Sequence, residues 1–586
     1  MTFDPDYIFS AGSLPSDPRF MPPLANGFLG WRVFDSVMHM GGVYNGEGGT
    51  CHRGNIPCPL AVQVKTAEVG QHMYELDMHK GIFSHTMFEP HFEYTQVLYA
   101  HRQHSNLLVM EVHLKRIKSS AEPITIQLES SFKSQSDDID FQNAPDYKGG
   151  SSFPSPSEEF AFGGVSPGGL SNGSIDEDYH GHVFWDQDTW MYPNVALFYP
   201  SLARAVLEYR VRTVEGARAN AQQMGYKGLK FAWESAVTGH DVCPEDIYAQ
   251  QEIHINGDVV LAFQQYFYLT QDLEMFKEGR GSEVVWGVAD YWVSRVTWDA
   301  YDQQYHIKGV IPPDEYYFTV NNSVFTNAVA QSSLQFAVEL CGLLAQTAPP
   351  EWQDTADKIK IPFDPELKYH PEFDGYLQGN AVKQADAVLL GYPLALPMTP
   401  EVRRNDLQAY EAVTDPLGPA MTWGMFALGW LELGESEKAQ NLLQKCFRNI
   451  QTPFQVWSES ADGSGCVNFL TGMGGFLQAV LFGYTGFRVQ KEHLAFAPLI
   501  PQDVDALRVK GVTYLGNKMD WLVTSAEVSV EVSVEVRKSG SKEPSALELV
   551  LSTGTTIPLI PGQSVTFLRQ PGQIRKLNSS LSCWPI

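Results

Sequence analysis

The chain has 586 residues, 44% of them apolar, so it is long enough for two or three domains with a large buried core. Its 41 lysine and arginine residues against 68 aspartate and glutamate residues give a formal charge of −27, which disfavours binding to nucleic acid or to an anionic membrane. A neutral or cationic small ligand is compatible with this charge.

The N-terminal sequence lacks the basic and apolar stretches of a secretory leader, and no uninterrupted apolar run reaches membrane-spanning length. The seven cysteines are widely spaced and form no C-x-x-C pair, which indicates neither a disulfide framework nor a zinc site. We therefore expect a cytoplasmic protein with reduced thiols and no bound metal. The sequence does not define its oligomeric state.

Residues 1–132 run in short alternating segments separated by Gly, Pro and Asn turns, for example 60–65, 107–114 and 124–128. This pattern predicts an antiparallel β-sandwich. Between residues 133 and 174 the composition changes to Ser, Gly, Pro and acidic residues, which predicts a flexible junction.

From residue 175 to 487 the apolar period changes from 2 to about 3.6, which predicts a helical domain. The segments with helical stripes are 203–213, 257–268, 283–296, 327–344, 381–390, 421–433, 437–447 and 472–482. Alternation returns over 488–586, most clearly at 528–536, and predicts a small C-terminal β-domain.

A proline-stiffened turn, Val310-Ile-Pro-Pro-Asp-Glu-Tyr-Tyr-Phe, is predicted to place Glu315 in an apolar pocket. Burial raises the pKa of a carboxyl group, so Glu315 is a candidate general acid for glycoside cleavage. The alternative is that the Asp-Glu pair only begins a helix, because acidic residues are favoured at helix N-termini.

Two further segments carry candidate sugar-binding residues. Trp185 and Asp186 stand together at the start of a predicted helix, where an aromatic face and a carboxylate suit a pyranose ring, although a capping Asp beside a core Trp gives the same pattern. Lys383 and Gln384 lie in an apolar segment predicted to be helical, where burial without polar partners costs about 2–7 kcal/mol for a polar group. The pair therefore either lies at the helix end or binds a polar ligand.

Phe454-Gln-Val-Trp-Ser-Glu-Ser supplies Glu459, a second carboxylate of the kind that an inverting glycosidase uses to activate water. A solvated loop acid is the alternative interpretation. Trp233, Glu234 and the segment 252–258 are further candidates for the lining of a pocket.

Together, Phe184-Trp-Asp-Gln-Asp, Pro313-Asp-Glu-Tyr, Val382-Lys-Gln-Ala-Asp and the glycine-rich segment 472–488 resemble, in order and spacing, glycoside hydrolase family 65. The resemblance covers nearly all of residues 181–488. It implies a multidomain α+β protein with an N-terminal β-sandwich, a central (α/α)6 barrel and a C-terminal β-domain. It also implies that Glu315 is the proton donor and that Trp185, Asp186, Lys383 and Gln384 hold the sugar.

The chain departs from this family in two places. Where the family's phosphorylases have a phosphate-binding loop rich in His and hydroxyl groups, this chain has Trp457-Ser-Glu-Ser-Ala-Asp-Gly-Ser-Gly, which favours hydrolysis with Glu459 as the general base. The region before Trp185 is shorter than in the family, so the sandwich is interpreted as truncated, and the first barrel helix is not visible between residues 148 and 181.

The resemblance predicts an inverting exo-α-glucosidase that removes glucose from glucosyl-galactosyl-hydroxylysine units of collagen, with no cofactor. The alternatives are an acid trehalase-like hydrolase, a disaccharide phosphorylase, and a catalytically inactive, shortened carbohydrate-binding form. The expected partner is a small glycoside or a glycosylated hydroxylysine, with no nucleic acid and no membrane.

Overall fold

The computed structural model describes residues 7–65, 70–117, 123–140, 164–171, 179–501, 503–533 and 544–577. Its contacts divide the chain into two units. The first comprises Met1–Val183, Glu234–Val237 and Asn449–Leu470, and the second comprises Phe184–Trp233, Thr238–Arg448 and Thr471–Ile586.

The N-terminal unit is built from antiparallel sheets, as the alternating pattern predicts. Its strands are β1 (Ile8–Ala11), β2 (Pro23–Ala25), β3 (Leu29–Arg32), β4 (Val37–Met40), β5 (Tyr44–Asn45), β6 (His52–Arg53), β7 (Ile56–Pro57), β8 (Val62–Lys65), β9 (Gln71–Asp77), β10 (Ile82–Phe88), β11 (Phe92–Ala100), β12 (Leu108–Arg116) and β13 (Gln127–Ser130). The larger sheets have the orders β1-β9-β10-β11-β12 and β2-β3-β4-β7.

Both of these sheets contribute to one apolar core. Leu29 and Trp31 come from the four-stranded sheet, and Phe83 and Leu98 come from the five-stranded sheet. The predicted junction at 133–174 lies partly outside the described residues. Two parts of it are described, 133–140 and 164–171. The second is packed rather than loose, because the carbonyl of Pro167 accepts the N–H of Leu470 at 2.7 Å.

The middle of the chain is helical. The helices are α1 (Tyr192–Phe198), α2 (Pro200–Arg212), α3 (Val214–Gln223), α4 (Asp246–Gln251), α5 (Ile255–Thr270), α6 (Leu273–Lys277), α7 (Gly281–Arg295), α8 (Val324–Leu343), α9 (Pro350–Lys358), α10 (Pro400–Glu411), α11 (Thr422–Glu432), α12 (Ser436–Cys446) and α13 (Leu470–Gln478), with π-helices at Asp186–Met191 and Ala479–Tyr484. Short strands β14 (Thr297–Asp299), β15 (Gln304–His306), β16 (Lys308–Val310) and β17 (Val320–Asn321) interrupt them.

The predicted helical segments are confirmed with one exception. Residues 381–390 form only a 3₁₀ turn at Ala387–Leu390, and the preceding residues are an irregular loop. Val382 forms a bridge with the 413–415 segment, where its N–H donates to the carbonyl of Val413 at 3.0 Å. This non-local pairing replaces the helical hydrogen bonds that the apolar spacing predicts.

A hairpin of β18 (Ile450–Gln451) and β19 (Val456–Trp457) carries Glu459 and belongs to the N-terminal unit, although its sequence position lies inside the predicted helical domain. Phe454 and Val456 explain this placement, since both are buried in the core of the N-terminal sheets. Burial of such side chains is worth about 1.5–3 kcal/mol each.

The C-terminal strands are β20 (Arg488–Val489), β21 (His493–Phe496), β22 (Ala506–Tyr514), β23 (Asn517–Thr524), β24 (Glu527–Ser533), β25 (Leu547–Leu551), β26 (Thr556–Leu559), β27 (Ser564–Leu568) and β28 (Gly572–Lys576). They form sheets of order β20-β21-β28-β25-β26 and β22-β23-β24-β27. In the described ranges, no helix is long and apolar enough to cross a membrane.

Candidate active site

Glu315 lies on the loop between the paired strands β16 and β17. Pro312 and Pro313, both buried, precede it and restrict the backbone of the turn. The Glu315 side chain is 22% exposed, and its Oε2 forms an ion pair with Nζ of Lys383. The expectation of an apolar pocket around Glu315 is therefore wrong, because the lysine supplies a charged partner at a partly open position.

The fully buried carboxyl of this turn is that of Asp314. Its Oδ1 accepts the backbone N–H of Lys383 at 2.8 Å and that of Tyr316 at 3.2 Å. Its own N–H donates to Oδ2 of Asp386 at 3.2 Å. Asp314 thus links the backbone of the Glu315 turn to that of the Lys383 loop.

Gln384 adds a further link between the same two loops. It is 4% exposed, and its Nε2 donates to the carbonyl of Pro313. This hydrogen bond fixes the loop that carries Glu315. Sugar binding by Gln384 stays a prediction. Lys383 itself is partly exposed, with 29% of its side chain accessible, so its ammonium group can also reach a ligand.

Three buried carboxyls, those of Asp314 and Asp386 in these loops and that of Glu372, lie close enough together to influence one another's pKa. Burial raises the pKa of Asp314 to about 6. Burial and the neighbouring Asp386 and Asp314 raise the pKa of Glu372 well above its ordinary value, and burial together with Asp314 does the same for Asp386. The group is therefore most stable when it holds protons, because three buried negative charges would repel one another.

Asp314→Asn is expected to flatten the pH dependence of folding. Because the folded-state pKa of Asp314 is raised from 3.8 to about 6, the stability that this carboxyl contributes is complete below about pH 4 and is lost as the pH rises through 6. Asparagine keeps an acceptor for the N–H of Lys383 but does not titrate. Urea unfolding at pH 4, 5, 6 and 7 measures the effect, with Glu437→Gln, at an exposed position of α12, as control. An unchanged slope in Asp314→Asn would contradict the assignment.

Trp185 and Asp186 lie at the start of the first π-helix. The Trp185 ring is 2% exposed and makes edge-to-face contacts with His254, at 4.7 Å between ring centroids, and with Phe325, at 5.8 Å. Asp186 is 8% exposed and accepts the hydroxyl hydrogen of Thr471. In the structure, Trp185 therefore packs as a core aromatic, and its contact with a sugar stays a prediction.

A buried polar network supports this segment. Nδ1 of His254 lies 2.7 Å from Oδ2 of Asp258, whose other oxygen accepts the Thr189 hydroxyl at 2.9 Å. Asp188 is paired with Arg210, and both side chains are fully buried. The segment 252–258 is among the candidates predicted from the sequence, but Arg210 is not. No local signal separates that arginine from the other charged residues of α2.

Glu459 follows the hairpin of the N-terminal unit and is half-buried. Its Oε1 accepts the hydroxyl hydrogen of Tyr179 at 2.7 Å, and its Oε2 accepts the N–H of Cys466 at 3.0 Å. Gly465 has φ +73°, and a Cβ added there would lie 2.6 Å from Oε2. The loop thus wraps closely around a carboxylate that is fixed at both oxygens. Sequence reasoning did not identify Tyr179.

Glu234, predicted to line a pocket, is paired instead with His182, whose Nδ1 lies 2.7 Å from Oε2 of Glu234. Both side chains are buried, which indicates a structural role in the N-terminal unit. Trp233 lies in the helical unit, where its ring packs against His254 at 5.4 Å between ring centroids.

Asp299, Asp302 and His306 form a group in the described residues whose geometry could hold a metal ion. Asp302 is already engaged, because its Oδ2 lies 2.8 Å from Nε2 of His306 and 4.0 Å from Nζ of Lys360. The ammonium group of Lys360 supplies the positive charge that a cation would bring. This cluster therefore has a structural explanation.

The helical unit holds a partly exposed glutamate paired with a lysine, and carboxyl groups of this kind carry out the chemistry of glycoside hydrolases. Comparisons with known proteins agree. The family model described as "Glycosyl hydrolase family 65 central catalytic domain" matches residues 161–383. A relative from Danio rerio, named protein-glucosylgalactosylhydroxylysine glucosidase, is 65% identical over 93% of this chain and 100% of its own length. The chain belongs to glycoside hydrolase family 65.

A relative of the same name from Gallus gallus is 44% identical over 98% of this chain and 97% of its own length. The kojibiose hydrolase of Flavobacterium johnsoniae is 38% identical over 55% of this chain and 47% of its own length. A solved structure titled "Putative kojibiose phosphorylase from human microbiome" has a TM-score of 0.69 at 13% identity and covers 96% of this chain and 98% of its own. It supports the fold alone.

The alignment with the Danio rerio relative extends over 659 positions, more than the 586 residues of this chain. Parts of that relative therefore have no counterpart here. The expectation that the shortened part is the region before Trp185 stays a prediction.

Proposed function

We propose that this chain is an inverting exo-α-glucosidase that releases glucose from glucosyl-galactosyl-hydroxylysine. The observation that carries the proposal is the Glu315–Lys383 pair, held between two interlocked loops, in a chain 65% identical to a relative named for this substrate. The finer architecture that we propose with it is an (α/α)6 barrel of the central helices and an N-terminal β-sandwich. A cytoplasmic location stays a prediction.

In the proposed reaction, Glu315 donates a proton to the glycosidic oxygen as the bond from that oxygen to the anomeric carbon breaks. Glu459 accepts a proton from a water molecule, whose oxygen attacks the anomeric carbon from the opposite face. The products are β-glucose and galactosyl-hydroxylysine, and solvent returns the proton from Glu459 to Glu315. No cofactor takes part in this scheme.

Lys383 connects substrate binding to the acid role of Glu315. Its ammonium group is paired with Glu315 in the structure. A sugar hydroxyl that accepts a hydrogen bond from Lys383 would draw Nζ away from Glu315. The glutamate, no longer held as an anion by the ammonium group, would then take a proton from solvent and give it to the leaving oxygen. Asp186, which accepts the hydroxyl hydrogen of Thr471, is proposed to accept a hydrogen bond from a second sugar hydroxyl as well.

Three points support hydrolysis over phosphorolysis. The sequence resemblance implies that Glu459 stands in the loop where the family's phosphorylases bind phosphate, and a carboxylate repels that anion. Its two oxygens are fixed by Tyr179 and Cys466, so the charge is held in place. The relatives from Danio rerio and Gallus gallus, matched over nearly the whole chain, carry a glucosidase name.

The stereochemistry of the released sugar tests the proposal. The protein is incubated with glucosyl-galactosyl-hydroxylysine, with and without phosphate, and proton NMR spectra are taken before mutarotation. We expect β-glucose at the same rate in both samples, because inversion by water needs no phosphate. Release of α-glucose would contradict inversion, and a phosphate-dependent sugar phosphate would favour a phosphorylase. No release, under conditions where the Danio rerio relative is active, would favour the inactive shortened form.

A further inference from the structure

Strand β12 ends the five-stranded sheet of the N-terminal unit. Its nine residues, Leu108–Arg116, pair with β11 along one edge. Over the described ranges, no strand pairs with its other edge. A long edge strand with free N–H and C=O groups readily accepts another strand.

The face that β12 turns toward the core is apolar but poorly covered. Met110, Val112 and Leu114 lie opposite the buried β11 residues Leu98, Gln96 and Tyr94 respectively, and therefore point to the same side of the sheet. Val112 is nonetheless 37% exposed and Leu114 is 44% exposed. A second strand beside β12 would cover this apolar surface.

The sequence of β12 is complementary to itself in antiparallel pairing. If Val112 lies opposite Val112 of a second copy, Met110 lies opposite Leu114 on the inner side and Glu111 lies opposite His113 on the outer side. Within one chain, Oε2 of Glu111 is already 3.1 Å from Nε2 of His113. Two copies would therefore form an alternating cluster of two glutamates and two histidines.

Other registers that keep the apolar side inward fit less well. A shift of two residues in one direction places Glu111 opposite Glu111, which is unfavourable for like charges. A shift in the other direction places His113 opposite His113 and brings Arg116 opposite Met110. Of these three registers, the one centred on Val112 pairs each glutamate with a histidine.

We propose that two copies of this chain dimerise by antiparallel pairing of their β12 strands across a two-fold axis at Val112. The same patch is used on both subunits, as in any two-fold interface, and each five-stranded sheet becomes half of a continuous ten-stranded sheet. This inference is independent of the proposed glucosidase activity.

The test uses two charge-changing substitutions, each expected to weaken the dimer alone and the two together expected to restore it. Glu111→Lys places a lysine opposite His113, and His113→Glu places a glutamate opposite Glu111, so each variant is expected to raise the dimer dissociation constant about tenfold or more. In an equimolar mixture of the two variants, a heterodimer places the introduced lysine opposite the introduced glutamate and the native His113 opposite the native Glu111. Heterodimers should therefore form at the protein concentrations at which the wild type dimerises. Sedimentation velocity over a range of concentrations measures all three samples, with Glu437→Lys in α12 as control.

Hydrogen exchange of the wild-type chain gives a second measurement that does not depend on the variants. Amides of 108–116 should become more protected as the protein concentration rises, while those of α12 should not change. A wild-type chain that stays monomeric at all concentrations would overturn the proposal. Dimers that neither substitution weakens, or a mixture of the two variants that stays monomeric, would overturn the pairing of Glu111 with His113.

Discussion

Glu315→Gln is expected to lower glucose release by about 10²- to 10⁴-fold, because the amide has the shape of the carboxyl but no proton of suitable acidity to give the leaving oxygen. The amide oxygen can still accept a hydrogen bond from Lys383, so the loop contacts and the melting temperature should change little. Rates at saturating substrate, with Glu437→Gln as matched control, measure the effect.

A substrate with a better leaving group separates proton donation from a structural effect. An aryl α-glucoside with an acidic phenol needs little protonation, so its hydrolysis by Glu315→Gln should fall much less than that of the natural disaccharide. Equal losses on both substrates would indicate that Glu315 only shapes the site. A variant within a few-fold of the wild type on the natural substrate would remove Glu315 from the reaction.

The order of the motifs in the sequence predicted the family and the enzyme class, and the comparisons confirm both. The helical and alternating apolar periods also predicted most elements, because each period shows which face of a helix or strand is buried. The helix predicted at 381–390 does not form, because its contacts are not local. Its polar residues, including Gln384 and Asp386, bind the backbone of a turn about seventy residues earlier, which no local period reveals.

The neighbours Asp314 and Glu315 show a similar limit. Adjacent acids in one turn have opposite environments, since Asp314 is fully buried and Glu315 reaches toward Lys383. The turn sequence indicates that the Asp-Glu pair is a candidate for catalysis. Which of the two carboxyls is buried depends on loops that the fold brings together. Likewise, the hairpin before Glu459 joins the N-terminal unit because Phe454 and Val456 fill a core whose remaining members lie hundreds of residues away in the sequence.

Glu459→Gln is expected to lower the turnover by about 10²- to 10⁴-fold with little change in KM, because it removes the base that takes a proton from water while substrate contacts remain. The loop should tolerate the amide. Its oxygen can accept the N–H of Cys466, and its NH₂ can donate to the hydroxyl oxygen of Tyr179, which rotates from donor to acceptor.

Tyr179→Phe is the control for this substitution. It removes one hydrogen bond from the Glu459 carboxylate but leaves the base in place, so the loss of turnover should be about tenfold or less. If Tyr179→Phe and Glu459→Gln reduced turnover equally, the glutamate would act by holding the loop. If Glu459→Gln retained turnover within a few-fold of the wild type, water would be activated by another group and the two-carboxylate mechanism would fail for this chain.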